Sequence, residues 1–173
     1  MTDRHPVDML DTGHGTGIDR STLRGVIHDR GQFDEWLASG GDPAALVIGA
    51  LYDGQLDDAE RLIGEALVTA DAGVRFRLRC LRADVARERG EYDAAAATYH
   101  ALLDEHAGTA REAVLWQHLG KIHFVAGNYS ASHDCFARSL DLRIDAGAPA
   151  DQVASSTLAL SRAAEELARC PGG

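Results

Sequence analysis

WQHLGKIHFVAGNYSASHDCF, residues 116–136, decides the fold. At its centre stands Gly127-Asn128-Tyr129, a phrase that follows one helical stretch and opens another. Glycine tolerates the left-handed conformation that ends a helix, the polar residue bridges the turn, and the apolar residue folds under the next helix. Two antiparallel helices result. The same phrase recurs as Gly90-Glu91-Tyr92, Gly54-Gln55-Leu56 and Gly31-Gln32-Phe33. The last three glycines of the set are separated by 36 and 37 residues, whereas Gly31 and Gly54 are only 23 apart.

This period lies close to the roughly 34 residues of a tetratricopeptide unit. Trp116, Leu119, Gly120, Gly127, Tyr129 and Phe136 stand in the order of that family's signature, with Ser132 and Ser139 where it usually has alanines. The preceding unit carries Ala83, Ala86, Gly90, Tyr92, Ala95 and Tyr99 in the same pattern. There Arg82 takes the place of the usual leucine, which moves the apolar stripe onto Leu78, Leu81 and Val85. The chain thus resembles a bacterial stand-alone tetratricopeptide-repeat protein. The resemblance implies an all-α, right-handed superhelix of about three helical hairpins.

Working outward, the units are expected over 42–71, 76–106 and 110–144. The first is the weakest, held by Leu46, Gly54, Leu56, Ala59 and Ile63, but Asp42-Pro43 reads as a helix start. Thr109-Ala110-Arg111-Glu112 reads as a capping box opening the third. A capping helix over 151–169 precedes Pro171-Gly172-Gly173. Ahead of the units, residues 18–40 are expected as an irregular helical cap with helices over 18–30 and 32–38, and residues 1–17, rich in glycine, as a disordered tail. Residues 18–170 then form one domain.

Composition narrows the function. The net charge of −10 disfavours a nucleic-acid partner, because an acidic body repels phosphates. No segment approaches the roughly 20 apolar residues of a membrane span or the apolar run of a signal peptide, so the expected compartment is the cytoplasm, without membrane contact. Cys80, Cys135 and Cys170 are widely spaced and odd in number, which fits reduced thiols. Lys121 is the sole lysine, and the wealth of Arg, Ala, Gly and Asp points to a GC-rich bacterial genome.

No catalytic motif emerges: Gly-x-Ser-x-Gly, a P-loop and His-Glu-x-x-His are all missing. His118 and His123 are five apart, a spacing that does not share one helical face, so neither a metal nor another cofactor is expected. The expected role is protein binding. In the family, the first helix of each hairpin lines a concave groove. Matching to that pattern assigns Arg77, Cys80, Asp84, Arg87, Gln117, Lys121, Phe124, Leu158 and Arg162 to the groove. The alternative for these positions is an ordinary solvated face. Four cations around Phe124 would suit an acidic or carboxylate-ended protein segment with an apolar anchor. An adaptor or client-shielding chaperone is the first reading. A regulatory module serving a separate enzyme or DNA-binding chain is the alternative, an enzyme with an unrecognised site is the third, and self-association stays open. Trp116 is expected to be largely buried.

Overall fold

Residues 9–40 and 44–169 are described by the computed structural model of the chain. Three strands come first, β1 (Met9–Gly13), β2 (Thr16–Asp19) and β3 (Gly25–Ile27), followed by helix α1 (Arg30–Ala38). Then come α2 (Ala45–Tyr52), α3 (Leu56–Leu67), α4 (Ala72–Glu88), α5 (Tyr92–His106), α6 (Glu112–Val125), α7 (Tyr129–Asp145) and α8 (Ala150–Arg169). The chain is mostly helical, with one small antiparallel sheet in the order β1–β2–β3.

Glycine turns set the hairpins. Gly54, Gly90 and Gly127 have φ of 73, 80 and 81°, the left-handed region that their place in the repeated phrase requires. In each turn the next residue closes the helix end: the N–H groups of Gln55, Glu91 and Asn128 donate to the carbonyls of Ala50, Ala86 and His123 at 2.8–2.9 Å. The hairpins α2–α3, α4–α5 and α6–α7 follow. Successive helices pack on one another from α2 to α8, and α2 also touches α4, as α6 touches α8. This makes two layers, with α2, α4 and α6 on one side.

Burial follows the expected stripes. Leu78, Leu81 and Val85 are buried with Val47 and Ile63 under the first hairpin, while the displaced Arg82 reaches Glu60 at 2.9 Å. Tyr99, Leu102, Leu115 and Leu119 form the central core. Trp116 lies at its edge, only partly buried, and its indole N–H donates to Glu112 at 3.2 Å. The Thr109 box is displaced by one residue: Glu112 accepts the Gly108 N–H at 2.8 Å, and α6 starts at Glu112 itself. The Asp42-Pro43 start falls outside the described residues. Among those residues no helix is long and apolar enough to cross a membrane.

The amino-terminal expectation needs correction. Residues 9–17, expected as part of the tail, and 18–29, expected within a helix, build the sheet and its connections instead, and Arg30 opens α1, while residues 1–8 lie outside the description. Leu10 pairs with Ile18 and Gly17 with Val26, giving the backbone the partners that a solvated tail would take from water. Gly31 ends no helix either. It sits in the first turn of α1, where Asp29 accepts the Gln32 backbone N–H at 3.1 Å and its side-chain amide at 2.9 Å.

Candidate functional site

A cavity of about 590 Å³ opens between the sheet and the helices α2, α4 and α6. Ile48, Leu51 and Tyr52 of α2 supply one flank, and Val114, His118 and Lys121 of α6 the other. Between them α4 contributes Gly73, Phe76, Arg77, Cys80, Leu81, Asp84 and Arg87, residues spaced at three and four along one helical face. Thr12, Ile18 and Gly25, one from each strand, form the opposite wall. None of α3, α5 and α7 takes part. Gly25 has a steric reason to be glycine, because a Cβ there would lie 2.7 Å from the Tyr52 ring.

Asp84 is the electrostatic centre of the floor. Only 5 % exposed, its Oδ1 accepts from Arg87 Nη1 at 3.0 Å, from His118 Nδ1 at 3.2 Å and from the Tyr99 hydroxyl at 3.2 Å. Burial alone would push this carboxyl up; Arg87, His118 and Lys121 outweigh it and hold Asp84 well below the usual carboxylate range. Arg87 also grips Glu88 at 3.0 Å. The His118 ring stacks on Tyr99, with centroids 5.6 Å apart. Because the ionised Asp84 can only accept, the His118 Nδ1 carries the hydrogen between them.

Lys121 stands apart. It makes no hydrogen bond or ion pair among the described residues. Burial pushes its ammonium down to about 8, and Arg87 pushes the same way while Asp84 opposes. The Cys80 thiol goes the other way, up to about 12, through burial and the nearby Asp84 charge, so it stays protonated at neutral pH. Among the described residues no group of three His, Cys, Asp or Glu side chains could hold a metal ion.

Five of the nine assigned groove residues meet in this cavity: Arg77, Cys80, Asp84, Arg87 and Lys121. The other four do not. Gln117 is buried and accepts from Ser156 Oγ at 2.7 Å, in a polar cluster where Arg143 Nη1 donates to Ser156 Oγ at 2.8 Å. Phe124, 8 % exposed, is core, packed with Leu23, Phe136, Ala159 and Ala163, and Leu158 rests against the same cluster. Arg162 stacks over Phe124 at 5.9 Å and is paired with Glu165 and Glu166. The physical reason is cover: α8 and the β2–β3 connection lie over the end of α6, so the stripe that continues from Lys121 to Phe124 passes from cavity into core.

Reading the sequence alone missed Ile48, Tyr52, Phe76, His118 and all of the sheet residues. One signal for His118 was present: it lies three residues before Lys121, on the same helical face. Comparisons with family models, with curated proteins and with solved structures find no match for this chain.

Proposed function

We propose that the chain is a binding module built on a tetratricopeptide-like array of three hairpins and working in the cytoplasm. Its ligand is a segment of a partner protein presenting a carboxylate beside an apolar side chain. The observation that carries this reading is the cavity on the inner layer, where Arg77, Arg87 and Lys121 face a space also walled by Ile48, Leu51, Tyr52, Phe76 and Val114. Three cations and one carboxylate line it, in a chain whose net charge is −10. Its size falls in the roughly 300–1,000 Å³ range of pre-formed ligand pockets. Asp84 and Glu88 act on Lys121 as opposite charges, and both are already paired with Arg87. A ligand carboxylate would complete that charge, and the ring of Phe76 or Tyr52 would receive the apolar part. Binding is favoured over catalysis because the one thiol in the site is held protonated and the His118 Nδ1 is committed to Asp84.

The repeat reading draws support from the left-handed glycines at 36- and 37-residue spacing and from contacts between α2 and α4 and between α6 and α8. Affinity capture from the native host followed by mass spectrometry tests the binding reading. Arg77→Glu with Lys121→Gln is expected to lower capture of the partner by about tenfold or more, because both remove charge from the cavity. Arg61→Glu with Arg138→Glu, on the outer helices α3 and α7, is expected to change it by no more than about twofold. Equal losses from the two pairs would place the interface elsewhere.

A further inference from the structure

Lys121 is the sole lysine of a chain that otherwise draws its permanent positive charge from arginine, and it lines the cavity beneath the sheet. A guanidinium stays protonated and cannot attack a carbonyl, whereas an ε-amine can once it has shed its proton. The cavity therefore holds the one side-chain amine of the protein. No hydrogen bond or ion pair fixes it among the described residues. Arg87 repels it, and the two opposing carboxylates, Asp84 and Glu88, are each bound to that same guanidinium at 3.0 Å. With burial this brings the ammonium to about 8, so that roughly a tenth is free amine at pH 7, against fewer than about one in a thousand for a solvated lysine.

Two neighbours suit an amine that reacts. His118 lies three residues before Lys121 on the same face of α6, and both line the cavity. Asp84 holds the His118 Nδ1–H at 3.2 Å, which leaves Nε2 as the acceptor nitrogen of a ring whose side chain is still 27 % exposed. Arg77 is exposed on the cavity face of α4. With five N–H donors it can receive a carboxylate while keeping another partner. Arg77 and Asp84 are seven residues apart, roughly 10 Å along the helix, so a ring or short chain fits between a carboxylate at Arg77 and a group at Lys121. Ile48, Tyr52 and Phe76 supply apolar wall for that spacer.

We propose that Lys121 is a covalent docking site for an oxo acid, whose aldehyde or ketone carbonyl condenses with the amine as a reversible imine while its carboxylate lies on Arg77. The Lys121 nitrogen bonds to the carbonyl carbon, and the carbonyl oxygen leaves as water. His118 Nε2 takes the proton that the nitrogen sheds on addition and returns it to the departing hydroxyl, with Asp84 stabilising the imidazolium in between. No oxidant or reductant is consumed, and hydrolysis reverses the step. The condensation does not depend on a protein segment being the cavity's ligand. Where both bind, the oxo acid would claim the same cations and compete with the partner.

The test exposes the full chain to 4-formylbenzoate with sodium cyanoborohydride, which reduces an imine to a stable secondary amine, and reads labelling at Lys121 by mass spectrometry after digestion. Nα-acetyllysine amide in the same tube is the solvated reference, and methyl 4-formylbenzoate is the uncharged comparison. At pH 7 Lys121 is expected to be labelled at least about tenfold faster than the reference, and this ratio to be about fivefold or more greater for the acid than for the ester. The ratio is expected to shrink above about pH 8, where Lys121 is already free amine and the reference is still losing its proton. Arg77→Glu is expected to make the two probes react alike, both still faster than the reference, and His118→Gln to slow both by about fivefold or more. Labelling no faster than the reference, equal ratios for acid and ester, a preference that survives Arg77→Glu, or rates untouched by His118→Gln overturns the proposal. The protein-segment reading is judged separately, by capture of the partner.

Discussion

Lys121 is where charge and burial oppose each other most directly. A lysine in an unfolded chain titrates near ~10.4, whereas burial holds this one at about 8. Between those values the unfolded chain binds more protons than the folded one, so folding stability rises with pH across that window. Below it the folded protein carries a charge it would be more stable without. Lys121→Met is expected to raise the unfolding free energy at pH 7 by about 1 to 3 kcal/mol and to flatten the rise between about pH 8 and 10, as read by denaturant unfolding over a pH series. An unchanged slope would mean that the ammonium is better solvated than its surroundings indicate. Asp84 has the opposite sign: its carboxyl is held low, so its contribution is present above the ordinary carboxylate range and is lost as pH falls through and below it.

The helix pair α6–α7 shows at the scale of elements how tightly two neighbouring helices are fitted. A Cβ on Gly120 would lie 2.6 Å from Phe136, and the Ser132 hydroxyl donates to the Gly120 carbonyl at 2.9 Å. Gly120→Ala is expected to destabilise by about 1 to 3 kcal/mol in thermal or denaturant unfolding, through overpacking rather than through helix propensity, which alone would favour alanine. No loss would show that the helices can part at no cost. Elements of this kind were legible because the apolar spacing and the glycine turns are local. Gly31 misled because its phrase matched while its context did not; Asp29 with Gln32 three residues later marks a helix start ahead of it. The strands stayed hidden for a different reason. β3 has three residues and β2 four, too few for an alternating pattern, and what secures their connection is Leu23's contact with residues more than 100 positions away.

At the scale of the whole molecule the same hidden cover decided which of the assigned groove residues come together in the cavity. Arg77, Cys80, Asp84 and Arg87 lie along one face of α4, and Lys121 joins them from α6, so helical spacing already grouped most of them. For Phe124 it failed, because nothing in the local pattern reports that α8 and the hairpin close over it. The expected phenotype changes accordingly. Phe124→Ala is expected to cost about 3 to 5 kcal/mol in unfolding free energy, since it empties a packed site shared by α6, α7, α8 and Leu23. A midpoint within error of the unaltered chain would return Phe124 to the surface.

The bond from Arg162 Nε to the Ser21 carbonyl joins residues 141 positions apart, and Phe124, Phe136, Ala159 and Ala163, which pack around Leu23, are likewise late in the sequence. On a ribosome adding about 5 to 20 residues per second, Ser21 is made roughly 7 to 28 seconds before Arg162. For that interval the β2–β3 connection lacks its α8 contacts, and each helical pair can form before α8 exists. The nascent chain therefore passes through a stage in which α2 to α7 can be in place while Phe124 and Phe136 still lack their cover from α8.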